Sequence, residues 1–127
     1  MKKVIFPITL LALSFILPTA AHAADSSQIV GRWLRHDGGY ALEFRNIEKD
    51  GTIEAYYYNP RPINVSVART DIKDDIINIF VELRDKGYPG SYYTLEYEPE
   101  KDILIGVYHH LGINQNFQVY FVRQGNQ

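Results

Sequence analysis

Eight short runs of strand-forming residues, separated at near-regular intervals by turn chemistry, leave this chain little to fold into except antiparallel β-structure. The runs are Ile29–Arg35, Tyr40–Arg45, Thr52–Tyr58, Ile63–Arg69, Ile76–Leu83, Tyr92–Tyr97, Ile103–His109 and Phe117–Arg123. Between them stand Asp37-Gly38-Gly39, Asp50-Gly51, Asn59-Pro60-Arg61-Pro62, Thr70 to Asp75, Arg84 to Ser91, Pro99 to Asp102 and Gly112 to Gln115. Glycine supplies the positive φ that tight hairpins need, and proline cannot donate to a ladder. Several runs alternate apolar and polar residues with period two, as in Tyr40-Ala41-Leu42-Glu43-Phe44-Arg45. No helical period longer than one turn follows residue 24.

The first 23 residues are of another kind. Lys2-Lys3, the apolar run Val4 to Leu17 and the small-residue site Ala21-His22-Ala23 have the order of a secretory signal peptide. Its apolar core is too short for a membrane span, and no later run approaches the ~20 apolar residues that spanning requires. Residues 24–127 are therefore expected to form one exported domain, periplasmic or secreted. Removing the leader takes two of the 13 basic residues and leaves 15 acidic ones, a charge of −4 with histidines neutral. That argues against nucleic acid, which selects a basic face. The chain has no cysteine, which excludes a disulfide scaffold, a thiolate zinc site and a lipidated N-terminal cysteine.

Closing eight strands as an up-and-down barrel removes both exposed sheet edges, and no connection is long enough to be the crossover a two-sheet sandwich would usually need. Closure brings alternate loops to one rim, which gathers His36, Asp37, Asn59, Arg61, Arg84, Asp85, Tyr88, His109, His110, Asn114 and Gln115. By parity, Tyr40, Tyr57, Tyr93 and Tyr108 face inward just below that rim. Two readings follow. The tyrosines form a shallow aromatic pocket for a small amphipathic or aromatic ligand, or they cap a filled interior, as barrels of this size often do. Arg61 and Arg84 are candidate receivers of a ligand carboxylate or phosphate, because a guanidinium forks onto two oxygens. The ligand-binding set is thus Tyr40, Tyr57, Arg61, Arg84, Tyr93 and Tyr108.

The opening Gly31-x-Trp33 and the closing Arg123 resemble the signature of the calycins, the lipocalin, fatty-acid-binding and avidin group. The resemblance implies an eight-stranded antiparallel barrel with Trp33 at its closed base and Arg123 laid across the indole, both structural. Gly51-x-Ile53-x-Ala55-x-Tyr57 is similar to the third-strand pattern of avidins, whose tyrosine reaches ligand, and Leu104-x-Gly106-x-Tyr108 repeats its latter half. Avidins surround biotin with several tryptophans, whereas this chain has only Trp33, so biotin binding is not carried over.

No spacing of His36, Asp37, His109 and His110 defines a metal site, since His109 and His110 point to opposite faces of a strand. No nucleophile, base or carboxylate pair is placed by a motif, and no cofactor is implied. The expected role is non-enzymatic. The alternative to a small ligand is a protein-interaction or inhibitor module, lysozyme- or protease-inhibitor-like, presenting Tyr88-Pro89-Gly90 or Arg61-Pro62. The outward residues Ile103, Ile105, Val107, Tyr120 and Val122 are apolar enough for a homodimer through the barrel wall.

Overall fold

The computed structural model describes residues 2–17 and 23–125; Pro18 to His22, including the Ala21 and His22 of the expected cleavage motif, lie outside the described residues. Residues 2–17 carry no secondary structure and are exposed. No helix among the described residues is long and apolar enough to cross a membrane.

After a 3-10 turn at Ser26–Ile29 come nine strands: β1 (Gly31–Arg35), β2 (Ala41–Ile47), β3 (Ile53–Asn59), β4 (Arg61–Ile63), β5 (Val65–Lys73), β6 (Ile76–Asp85), β7 (Tyr88–Glu98), β8 (Ile103–His110) and β9 (Gln115–Arg123). They form one antiparallel sheet in the order β4-β3-β2-β1-β9-β8-β7-β6-β5. Pairing of β1 with β9, Trp33 opposite Arg123, joins the two ends of the meander. The sheet then curls until its far edges meet, where Thr52 bridges Arg69 and the Thr70 amide donates to the Gly51 carbonyl at 2.8 Å. The product is a nearly closed antiparallel barrel.

It has nine strands rather than the expected eight. The run Ile63–Arg69 divides at Asn64, because Pro60 reverses the chain sharply enough to fold β4 back on β3, with Asn59 opposite Arg61. Asn64 then hands the chain to β6. Its amide donates to Asp85 Oδ2 at 2.8 Å, its carbonyl accepts the Arg84 amide at 3.1 Å, and its Nδ2 donates to the Arg84 carbonyl at 3.1 Å. Two expected loops also prove to be strand. Thr70 to Lys73 continues β5, leaving only Asp74-Asp75 as the turn, and Arg84 to Ser91 shortens to the turn Lys86-Gly87. Asp74 and Asp75 take φ of 51° and 64°, so an aspartate pair makes a turn that sequence reasoning assigns to glycine.

Three bulges bend the sheet: Arg45-Asn46 in β2, Ser66 in β5 and Gly90-Ser91 in β7. Bulges tighten the local twist, which a barrel of short strands needs. Inward residues alternate along each strand and fill the interior with Trp33, Leu42, Phe44, Ile53, Tyr57, Val81, Leu83, Tyr93, Leu95, Leu104 and Phe121. Each large side chain so buried contributes about 1.5–3 kcal/mol.

The base is sealed by the 3-10 turn, whose Ile29 is buried and whose carbonyl accepts the indole N–H of Trp33 at 2.8 Å. Arg123 lies across that indole, 4.2 Å from guanidinium carbon to ring centroid. It donates to the Val30 carbonyl at 2.7 Å, the Gln28 carbonyl at 2.5 Å and the Asp102 carboxylate at 2.9 Å. Gly31 makes room, since a Cβ there would stand 2.8 Å from the Arg123 guanidinium.

Gly51 carries the closure at the same end. Its φ is +91°, and a Cβ would collide with the Thr70 carbonyl oxygen across the seam. Gly51→Ala is therefore expected to cost ~1–3 kcal/mol, measured as a lower midpoint in urea unfolding. An unchanged midpoint would show that the β3–β5 seam does not hold the barrel together.

Candidate functional site

The site grows from the parity of β1. Trp33 faces inward, so Arg35 two residues on does too, and it reaches the opposite mouth of the barrel. Arg35 is only 8% exposed. A buried cation must be paired or it is strongly destabilising. The turn after β1 supplies the partner. Asp37, standing just before Gly38 and Gly39 with their φ of 76° and 80°, turns back and accepts both Nε at 2.6 Å and Nη2 at 2.7 Å. This is a side-on, two-pronged pair.

The remaining arginine nitrogen, Nη1, donates to the Tyr93 hydroxyl at 2.9 Å, and that hydroxyl stands 2.9 Å from the Tyr57 hydroxyl. The guanidinium lies flat over Tyr40 at 3.7 Å and 5.6 Å from the Tyr108 ring. Tyr93 and Tyr108 stack at 4.6 Å, and Tyr57 meets Tyr93 at 5.7 Å and the edge of Tyr88 at 6.2 Å. The Asn59 side-chain amide donates to the Tyr88 hydroxyl at 2.5 Å. The four tyrosines of the expected mouth thus surround one arginine.

They lie at different depths. Tyr57 and Tyr93 are 1% and 0% exposed, Tyr108 is also buried, and Tyr40 and Tyr88 are partly open. Below Tyr40 the interior is packed with side chains. Burial, reinforced for Tyr57 by its neighbour Tyr93, pushes the Tyr57, Tyr93 and Tyr108 phenols up, so all three stay protonated donors at neutral pH. Burial alone would weaken the Arg35 charge, but the Asp37 carboxylate and the Tyr93 hydroxyl more than offset it.

The two arginines expected at this site are elsewhere. Arg61 is exposed on the rim, donating to the Lys86 carbonyl at 3.3 Å with Asp85 3.8 Å away. Arg84 is on the outer wall beside Glu82 at 3.4 Å. The histidines do not converge either. His36 stacks on Tyr120 and His109 on Tyr92, each at 4.2 Å. His109 also contacts Thr94 Oγ1 and Asn116 Oδ1. The Nδ1 of His110 is buried with no hydrogen-bond partner. Among the described residues no group of three or more histidine, cysteine or acidic side chains could hold a metal ion.

Arg35 is the residue that sequence reasoning passed over, although the inward position of Trp33 placed it inside. Compared with protein-family models, curated proteins and solved structures, the chain matches none of them.

Two carboxylates titrate against this framework. The hydrogen bonds from Arg35 hold Asp37 below its ordinary value, and those from Arg123 do the same for Asp102 at the base. A carboxylate whose folded value is depressed contributes stability that is present above its unfolded value of about 3.9 and is lost as pH falls through the folded value. Acid unfolding followed by circular dichroism should accordingly begin below about pH 4. Asp37→Asn and Asp102→Asn should each flatten that dependence while lowering stability at neutral pH. A slope unchanged in both variants would contradict the pairing.

Proposed function

We propose that this is an exported, calycin-like, non-enzymatic barrel that binds a small amphipathic or aromatic ligand carrying a carboxylate or similar anionic group at its tyrosine-lined mouth. One observation carries this reading. The buried guanidinium of Arg35 turns its side-on edge to a carboxylate, and that carboxylate belongs to Asp37, an exposed residue on a glycine-rich turn. A ligand carboxylate offers the same two oxygens and can take the place of Asp37, while Tyr40, Tyr88 and Tyr108 supply aromatic contact. The receiver role expected of Arg61 and Arg84 passes to Arg35. The Trp33 and Arg123 contact at the base supports the calycin resemblance, and the leader-like residues 1–23 support export to the periplasm or beyond.

Recognition of a protein is the second reading, and a different observation favours it. Leu111, Ile113 and Phe117 stand 47%, 55% and 42% exposed around the β8–β9 turn, at the same rim. Tyr88 is partly buried against Tyr57, so this hairpin, and not the Tyr88-Pro89-Gly90 segment, is the presented apolar element.

The test is chemical rescue. Asp37→Ala leaves Arg35 without its anion and should lower stability by ~1–3 kcal/mol. Millimolar benzoate is expected to raise the melting temperature of Asp37→Ala well above the effect of equimolar chloride, and to shift the ring resonances of Tyr40 and Tyr108. The double variant Arg35→Met, Asp37→Ala should show neither response. Benzoate that rescues no more than chloride would overturn the anionic-ligand reading.

A further inference from the structure

At the base of the barrel the backbone amide of Ala24 donates to Asp75 Oδ1 at 3.0 Å. Ala24 packs partly buried against the core, whereas Ala23 is exposed. Asp25 caps the 3-10 turn, accepting the Ser27 amide at 3.0 Å while its own amide reaches Gln28 Oε1 at 3.4 Å.

Asp75 is an unusual residue for its place. It is the second residue of a two-residue hairpin turn with φ of 64°, where glycine is preferred and only asparagine or aspartate among the other residues is readily tolerated. Glycine would make the turn more easily; aspartate brings a carboxylate to Ala24.

The surroundings carry one sign of charge. The cleft of about 790 Å³ beside Ala24 is lined by Asp25, Glu48, Asp50 and Asp71 against Lys49 alone. Asp74 and Asp75 stand in the adjoining turn. None of these acids is in an ion pair among the described residues. A positive charge at the Ala24 nitrogen would meet this field directly.

We propose that hydrolysis of the Ala23–Ala24 peptide bond by a signal-type peptidase creates an α-ammonium that docks on Asp75, so that processing completes the seal at the base. Water adds across the bond. The Ala23 carbonyl carbon takes the hydroxyl and leaves as a carboxylate, and the Ala24 nitrogen takes protons to become an ammonium at neutral pH. An amide that donates to a carboxylate thereby becomes an ammonium that pairs with it, an ion pair in which both partners are charged. The proposal rests on the export reading given above, and it adds the docking partner and the consequence for the fold.

The first measurement is the intact mass of the protein isolated from its exported fraction, expected to begin at Ala24. A start other than Ala24 overturns the processing site alone, whereas a chain that stays uncleaved and absent from the exported fraction overturns the export reading as well. On the protein that begins at Ala24, NMR titration of the amine should give a pKa about half a unit higher than in Asp75→Asn, for a free amine expected near 7.7–8.0. Asparagine tolerates the positive φ, so this variant keeps the turn. A raised amine value stabilises below the unfolded value and is lost as pH rises through the folded one. The stability difference between wild type and Asp75→Asn should therefore shrink between about pH 7 and 10, and that pH dependence should vanish when the amine is acetylated. Equal amine values in the two proteins would overturn the docking while leaving the processing site in place.

Discussion

A guanidinium placed inside a β-barrel sets the terms for everything around it. Removing a charge from water costs several kcal/mol unless partners replace the solvent, and each of the three Arg35 side-chain nitrogens has found one. Two donors go to Asp37 and one to Tyr93, and its flat face covers Tyr40. These demands explain why the mouth is built of tyrosine. Phenylalanine would pack as well, but it could not accept from Nη1 or share a hydrogen bond with a second phenol, as Tyr93 does with Tyr57. They also explain the turn after β1, because Asp37 can fold back onto its own strand only where Gly38 and Gly39 permit the positive φ.

The two ends of the barrel solve related problems with different chemistry. At the base Arg123 lies on Trp33, donates to two carbonyls of the entering chain and pairs with Asp102. The arrangement fastens the first strand, the last strand and the 3-10 turn into one lock. At the mouth Arg35 satisfies itself with side chains, and its principal partner is exposed. Asp37 is open to solution, whereas the Arg123 carbonyl contacts belong to the fold. The proposed ligand role of Arg35 rests on that asymmetry.

Much of this was legible in the residues. The all-β class, the antiparallel meander and the inward set Tyr57, Tyr93 and Tyr108 follow from period two and turn chemistry, and the meeting of Trp33 with Arg123 was implied by the resemblance to calycins. What was missed has physical causes. The strand count failed at Asn64, because a side-chain amide that bonds to a neighbouring strand leaves no signal in local alternation. Thr70 to Lys73 reads as a charged link because its polar residues suit a loop as well as the outer face of an edge strand. Arg84 looked like a rim residue until the bulge at Gly90-Ser91 kept β6 in register through to Asp85 and left Arg84 on the outer wall. Arg35 escaped because charge alone argues for solvent, although the parity of Trp33 argued for the interior.

The claim on which the account turns is that Arg35 is a buried, fully engaged cation. Nitrogen-15 NMR of the arginine side chains tests it most directly. The account predicts that Arg35 Hε exchanges slowly with water, is displaced downfield by its bond to Asp37, and shows a cross-peak to the Tyr40 ring. An Arg35 Hε that exchanges as fast as those of exposed Arg61 and Arg84, with no contact to Tyr40, would place the guanidinium in solvent. The mouth would then be a plain cap on a filled barrel.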